Sequence, residues 1–292
     1  MTRQIGDLNE LRAREPRAVA AAAAARARRP LLGADGRLLI VAADHPARGA
    51  LGVRDEPCAM GSRTELLARL RTALARPGVD GVLSTPDILE DLLLLGDLEG
   101  KVVFGSMNRG GLQGASFELD DRFTAYDAAA LAAARFEGGK MLTRLDLADA
   151  GTVRTLEASA RAVSDLAAHE LVAMVEPFVS RRVGGRVVND LSTQAVISSV
   201  HVAQGLGVTS AYTWLKLPVV ADMVRVMDAT TLPTLLLGGD PSGHPDDTYA
   251  EWGKALTLPS VRGLVVGRAL LFPGDGDVAS AVDSAAALVH GS

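Results

Sequence analysis

Hydrophobic positions in this chain come in short unbroken runs, each followed by a stretch with the spacing of a helix. The runs are LLIVAADHP (38–46), GVDGVLSTP (78–86), KVVFGSMNRGG (101–111), GGKMLTRLDL (138–147), LVAMVEPFVS (171–180), SAYTWLKLPVV (210–220), LPTLLLGGD (232–240) and VRGLVVGRALL (261–271). Stretches such as RTELLARLRTALAR, DAAALAAARF, RTLEASARAVSDLAAH, AVISSVHVAQGLG, ADMVRVMDAT and TYAEWGKALTL read as the intervening helices. A strand that is apolar throughout is covered on both faces, which means a parallel sheet sheathed in helices. Eight such units predict an α/β fold of the (β/α)8 barrel type. An open doubly wound sheet would need a glycine-rich turn after the first strand, and AADHPARG does not supply it. The expected organisation is one domain over 1–292: a helical lead-in within 1–31 (helix about 7–28), the barrel over 36–275 and a C-terminal helix over 276–292.

Composition narrows the class without changing the fold. At 48% hydrophobic and 22% charged residues the 292-residue chain buries a large core. A net charge of −5 argues against a nucleic-acid partner or an anionic membrane surface. No run approaches the ~20 apolar residues of a membrane-spanning helix, and the charged N-terminus does not read as a signal peptide. The single cysteine, Cys58, excludes an internal disulfide and fits a cytoplasmic protein. The five histidines (His45, His169, His201, His244, His290) show no spacing for metal ligation, so no metal and no cofactor are expected. Apolar patches and the lead-in helix permit a homo-oligomer without specifying one.

Lysine is where the chemistry shows. Of 30 Lys plus Arg residues only Lys101, Lys140, Lys216 and Lys254 are lysine, and two of them lie inside strand-like runs. Guanidinium stays charged at any accessible pH, whereas a buried ε-amine can lose its proton and attack a carbonyl. In a barrel the reacting groups come from the carboxyl ends of strands. Those ends carry Asp44 and His45, Asn108 and Arg109, Lys140 and Arg144, Glu176, Lys216, then Gly238, Gly239 and Asp240, and finally Gly267 and Arg268. Alternation along a strand puts Lys140 on one face with Leu142 and Arg144, and Lys216 with Trp214. If those faces point inward, two amines and two carboxylates meet in one cavity. A bland reading stands beside each: a snorkelling Lys216, a Lys140 salt-bridged to Glu176 or Asp44, an Asp44 that only caps a turn, a structural His45. The glycines of LLLGGD and VVGRALL, with Arg268, fall where barrels of this type bind phosphate, though tight turns alone would also require glycine. The arginine-rich SRRVGGR (180–186) reads as a solvated loop that could also reach a substrate anion.

Taken together, LIVAADHP, GGKMLTR, VEPF, LKLP, LLLGGDPS and VRGLVVGRALL resemble the class I aldolases, nearest the tagatose-bisphosphate aldolase branch. The resemblance spans residues ~36–275. It extends to the deoxyribose-phosphate aldolase-like proteins and to an actinobacterial aldolase-like barrel family found with inositol-catabolism enzymes. Deoxyribose-phosphate aldolase proper places a second lysine on its seventh strand, where this chain has LLLGGD. The resemblance implies that Lys216 forms a Schiff base and Glu176 is the acid/base group. Lys140 and Asp44 then tune and orient the substrate, while Gly238, Gly239, Gly267 and Arg268 hold a phosphate. Arg144, Asn108 and His45 are further candidates for substrate contact. The expected activity is cleavage of a phosphorylated keto-sugar or keto-sugar acid. Inositol breakdown would make it 5-dehydro-2-deoxygluconate 6-phosphate, giving dihydroxyacetone phosphate and malonate semialdehyde. A phosphosugar isomerase or epimerase that uses no metal, and a non-catalytic phosphometabolite-binding barrel, are the competing readings.

Overall fold

Apolar runs that must hide both faces have one economical arrangement, a ring, and the computed structural model has it. It describes residues 3–239 and 245–291; Asp240 and His244 lie outside them. The strands are β1 (Leu38–Ala42), β2 (Gly81–Ser84), β3 (Val102–Ser106), β4 (Gly138–Leu145), β5 (Val172–Val183), β6 (Arg186–Asn189), β7 (Thr213–Pro218), β8 (Thr234–Leu237) and β9 (Val261–Val266). All but β6 pair in parallel in the order β4-β3-β2-β1-β9-β8-β7-β5, and β4 pairs with β5 to close the barrel. Helices run between the strands and cover the outside, so the architecture is a (β/α)8 barrel. Among the described residues no helix is long and apolar enough to cross a membrane.

Alternation divides the apolar residues into two cores. Leu38, Ile40, Leu83, Phe104, Met174, Trp214, Leu235 and Val265 fill the lumen, and Leu31 and Leu32 close its lower end. Their neighbours Leu39, Val41, Val103, Val175, Leu215 and Leu264 pack outward against the helices. The inward set is apolar in the lower layers and changes to charged residues near the carboxyl ends. That change marks the site.

Two local features differ from the sequence reading. The lead-in is not one helix over 7–28 but two, Leu8–Arg14 and Ala18–Ala25. Between them stands Pro16, whose ring and missing N–H interrupt a helix. Beyond the second helix Arg26, only 1% exposed, and Arg28 reach Glu137, whose carboxylate also accepts the Val103 amide at 2.7 Å. Arg29 pairs in the same way with Asp80, which accepts from the Leu39 amide at 2.7 Å. The lead-in is therefore tied beneath the barrel by ion pairs that cap strands β1 and β3. Finally, SRRVGGR is not a solvated loop: Ser180–Val183 continue β5 and pair antiparallel with β6 across Gly184 and Gly185. The turn needs φ of +56° and +81°, which glycine adopts without strain, so a run read as loop composition folds as a hairpin.

Gly263 shows how tightly the ring closes. It sits at φ +138°, and a Cβ there would fall 1.8 Å from the Leu38 carbonyl oxygen on β1. Gly263→Ala is expected to lower stability by about 3 kcal/mol or more, read as the urea midpoint at unchanged m-value.

Candidate active site

Inward parity on four strands delivers the charged layer. Asp44 follows β1, Lys140 lies on β4, Glu176 on β5 and Lys216 on β7. Lys140, Glu176 and Lys216 are each 8% exposed or less. Their contacts form a row. Lys140 Nζ is 2.8 Å from Asp44 Oδ2 and 2.7 Å from Glu176 Oε2, and Lys216 Nζ is 3.1 Å from the same Glu176 oxygen. Ser106 Oγ sits 3.5 Å from Asp44 Oδ2, at the limit of a hydrogen bond.

The row treats its two amines differently. Burial disfavours the ammonium in both. Lys140 is bracketed by two carboxylates, whose attraction outweighs burial and raises its pKa well above the ordinary 10.5. Lys216 touches one carboxylate, already shared, and feels the Lys140 charge; burial prevails and its pKa falls. The carboxyls respond in kind. Burial alone would raise both, but Lys140 and then Lys216 hold Asp44 and Glu176 below the usual carboxylate range. Two chemically identical amines are thus driven apart, the Lys140 ammonium favoured and the Lys216 ammonium disfavoured. Such a pair is what acid–base and nucleophilic chemistry requires.

His45 starts the short turn after β1. Burial first, and then Arg268, Lys216 and Lys140, push its pKa down to about 4 despite Asp44 nearby, so the imidazole is neutral at physiological pH. Its Nδ1 is buried without a hydrogen-bond partner. Across the strand tops, Gly239 holds φ +66°, and a Cβ on Gly267 would lie 2.5 Å from the Ala42 carbonyl. Arg268 follows Gly267 directly and opens the short helix Arg268–Leu271. A cavity of about 290 Å³ lies behind Gly238, lined by Tyr249, Trp252, Ala269 and Ser284 among others, and none of the four charged residues reaches it.

Two candidates are committed elsewhere. The Asn108 carboxamide donates to Asp121 at 2.7 Å and to the Leu142 carbonyl at 2.8 Å, and accepts from the Leu142 amide at 2.9 Å. Its hydrogen-bonding groups are occupied in fastening the β3 loop to β4. Arg144 shares the inward face of Lys140, but it pairs with Glu118 at 2.8 Å and donates to the Gly110 carbonyl. Arg109 is exposed and bonds the Ala47 carbonyl and Thr124. Arg182 of the hairpin pairs with Asp149 and donates to the Ser116 carbonyl, away from the charged row. Sequence reasoning missed Glu118 and Asp121, which lie in a loop where no periodicity marks a buried acid. The only signal was the acidic density of FELDDR. Asp121 is pushed up to about 6, chiefly by burial, against the pull of the Gly111 amide and Arg144.

Among known proteins, the Cgl0159-like family matches residues 36–286. Cgl0159 from Corynebacterium glutamicum, known as a crystal structure, is 60% identical over 98% of this chain and 96% of its own, with a TM-score of 0.96. An archaeal fructose 1,6-bisphosphate aldolase is 19% identical over 90% of this chain and 97% of its own, with a TM-score of 0.65. A fructose-bisphosphate aldolase from Slackia heliotrinireducens is 14% identical over 88% and 86%, with a TM-score of 0.59. At such identities the two aldolases are alike in fold. No curated protein matches the chain.

Lys140→Met would leave two buried carboxylates facing one another, at an expected cost of about 3 kcal/mol near pH 7. The depressed carboxyl pKa values give wild type a stabilisation that is present above the ordinary carboxylate pKa and lost as pH falls through the folded values. In the variant those carboxyls take up protons more readily on acidification. The gap in urea midpoint between wild type and variant should therefore be wide at pH 7 and narrow at pH 4.

Proposed function

The chain belongs to the Cgl0159-like family, and we propose that it is a class I aldolase that cleaves a phosphorylated keto-sugar or keto-sugar acid through a Schiff base on Lys216. The observation that carries this reading is the Lys216 amine, buried, with a lowered pKa and 3.1 Å from Glu176. Two fructose-bisphosphate aldolases, one archaeal and one from Slackia heliotrinireducens, share its fold, which agrees with it.

In this reading the neutral Lys216 amine attacks the substrate ketone to give a carbinolamine. The departing hydroxyl takes a proton and leaves as water, and the nitrogen is left in an iminium. Glu176 removes the proton from the hydroxyl on the far carbon of the bond to be broken. That hydroxyl carbon becomes the aldehyde product, and the bonding pair flows into the iminium to form an enamine. Glu176 then returns the proton to the enamine carbon, and water frees the second product and restores the amine. Lys140 keeps both carboxylates ionised and fixes Glu176 between the amines, while Asp44 holds Lys140 in place. Neutral His45 can accept or donate a hydrogen bond to a substrate hydroxyl. The backbone at Gly238, Gly239 and Gly267, with Arg268, receives the phosphate, whose binding orients the distant carbonyl. Sequence resemblance names 5-dehydro-2-deoxygluconate 6-phosphate as the specific substrate, cleaved to dihydroxyacetone phosphate and malonate semialdehyde. The charged row asks only for a ketone with a hydroxyl two carbons away.

Borohydride added with dihydroxyacetone phosphate should leave a covalent adduct on Lys216. An isomerase or a simple binding barrel acquires none, so its absence would refute the aldolase reading. Lys216→Met should abolish both adduct and turnover. Glu176→Gln should still trap ligand while turnover drops about 10²- to 10⁴-fold. Because the free amine is the reactive form, kcat/KM should climb with pH and level off below the ordinary lysine value of 10.5.

A further inference from the structure

Seven buried side-chain polar atoms lack a hydrogen-bond partner among the described residues. Four of these, His45 Nδ1, Arg48 Nε, Arg144 Nε and Arg268 Nε, surround the carboxyl end of the barrel. A buried donor left unpaired costs about 1–3 kcal/mol, so several collected around one opening point to a ligand that satisfies them. Their kind is informative, because three are guanidinium nitrogens and none is an oxygen. The acids of the mouth among the described residues are already engaged. Glu118 pairs with Arg144, Asp121 faces Asn108 and the Gly110 and Gly111 amides, and Asp44 and Glu176 neutralise the lysines. Arg48 and Arg268 have no carboxylate at ion-pair distance among the described residues.

The two free guanidiniums lie toward different sides of the opening. Arg268 follows β9, and Arg144 is on β4, four strands away in a ring of eight and so on the opposite wall. Arg48 belongs to the turn after β1 but leans toward the β4 side. Its carbonyl accepts from the Gln113 amide at 2.9 Å, and the neighbouring Ala47 carbonyl accepts from Arg109. After burial, the Arg48 charge is the next cause that lowers the pKa of Arg144. The reactive Lys216 lies lower in the lumen between these walls.

We propose that Arg48 anchors a second anionic group of the substrate, a carboxylate or phosphate, across the barrel mouth from the phosphate end at Gly239 and Arg268. The substrate is then anionic at both ends. The location of its phosphate and ketone rests on the aldolase reading above. A planar guanidinium fork suits either oxyanion; with Arg144 paired to Glu118 and Arg109 exposed and bonded to Ala47 and Thr124, Arg48 is the half-buried cation of that wall without a carboxylate among the described residues. A substrate held at both ends places its middle carbons over Lys216. One held only by its phosphate can swing.

The test uses ligands without a carbonyl, so that binding needs no Schiff base: glucitol 6-phosphate, gluconate 6-phosphate and glucitol 1,6-bisphosphate, titrated calorimetrically into the intact protein. The second anion should tighten binding at least about 10-fold over glucitol 6-phosphate, the gain of one charge-assisted contact. Whichever of the two gains more identifies carboxylate or phosphate. Arg48→Gln should erase that gain and leave glucitol 6-phosphate within about twofold of wild type, whereas Arg48→Lys should retain part of it. Among the described residues the Arg48 side chain makes no hydrogen bond, so these variants should keep the wild-type melting temperature. Equal affinity for all three ligands in wild type, no binding of any, or an equal loss of all three in Arg48→Gln would overturn the proposal. If the two-anion preference holds but borohydride traps nothing on Lys216, the aldolase reading fails and the second anion site stands.

Discussion

One carboxylate oxygen shared by two lysine amines sets the character of this molecule. Glu176 Oε2 lies 2.7 Å from Lys140 and 3.1 Å from Lys216. It cannot fully compensate both. Asp44 settles the competition by giving Lys140 a second negative neighbour. In a medium of low dielectric that difference of one neighbour outweighs any intrinsic difference between the lysines, for there is none. The rest of the fold keeps the four groups dry and in order. Lumen residues such as Phe104, Met174 and Trp214 lie beneath them, and the loops after β1 and β3 lie above.

Those loops are stitched to the barrel by bonds that leave little side-chain freedom. Asn108 exchanges hydrogen bonds with both backbone groups of Leu142, Arg144 takes Gly110 and Glu118, and Arg109 reaches the β1 turn. Residues that looked like substrate ligands thereby act as fasteners. The polar groups left unfastened at the mouth are consequently few and nearly all cationic. They carry chemical information because everything around them is satisfied.

Much of the fold was legible because each barrel strand is apolar on both faces, a pattern that only a sheathed parallel sheet explains. The inward parity of Lys140, Leu142 and Arg144, and of Trp214 and Lys216, was legible for the same reason: a strand alternates, so one inward residue fixes the others. Partner choice was legible only where strand ends meet: Asp44 and Glu176 could be named as partners of Lys140, and the structure pairs it with both. Nothing in GGKMLTRL says that Arg144 finds Glu118, since that contact depends on how a distant loop returns. The β5–β6 hairpin was hidden because SRRVGGR has the composition of a loop, and only the pairing of Ser180–Val183 with Arg186–Asn189 gives it regular structure. Arg48 escaped notice as one arginine among many. It differs from the others in what surrounds it, and a sequence does not record surroundings.

Asp44 follows β1 and Glu176 lies on β5, four places apart in the ring and so on opposite walls, and their carboxylates meet at one atom, Lys140 Nζ. That nitrogen works as a clasp between the walls, and the protonation of Lys216 is the gauge that reads how firmly it holds. If the ring grew slightly oval, one side of the clasp would let go. Lys140 would then hold its charge less firmly, and the freed carboxylate would draw a proton back onto Lys216. The roundness of the cylinder is in this way written into the basicity of one nitrogen, so reactivity would fade under distortion well before the strands part.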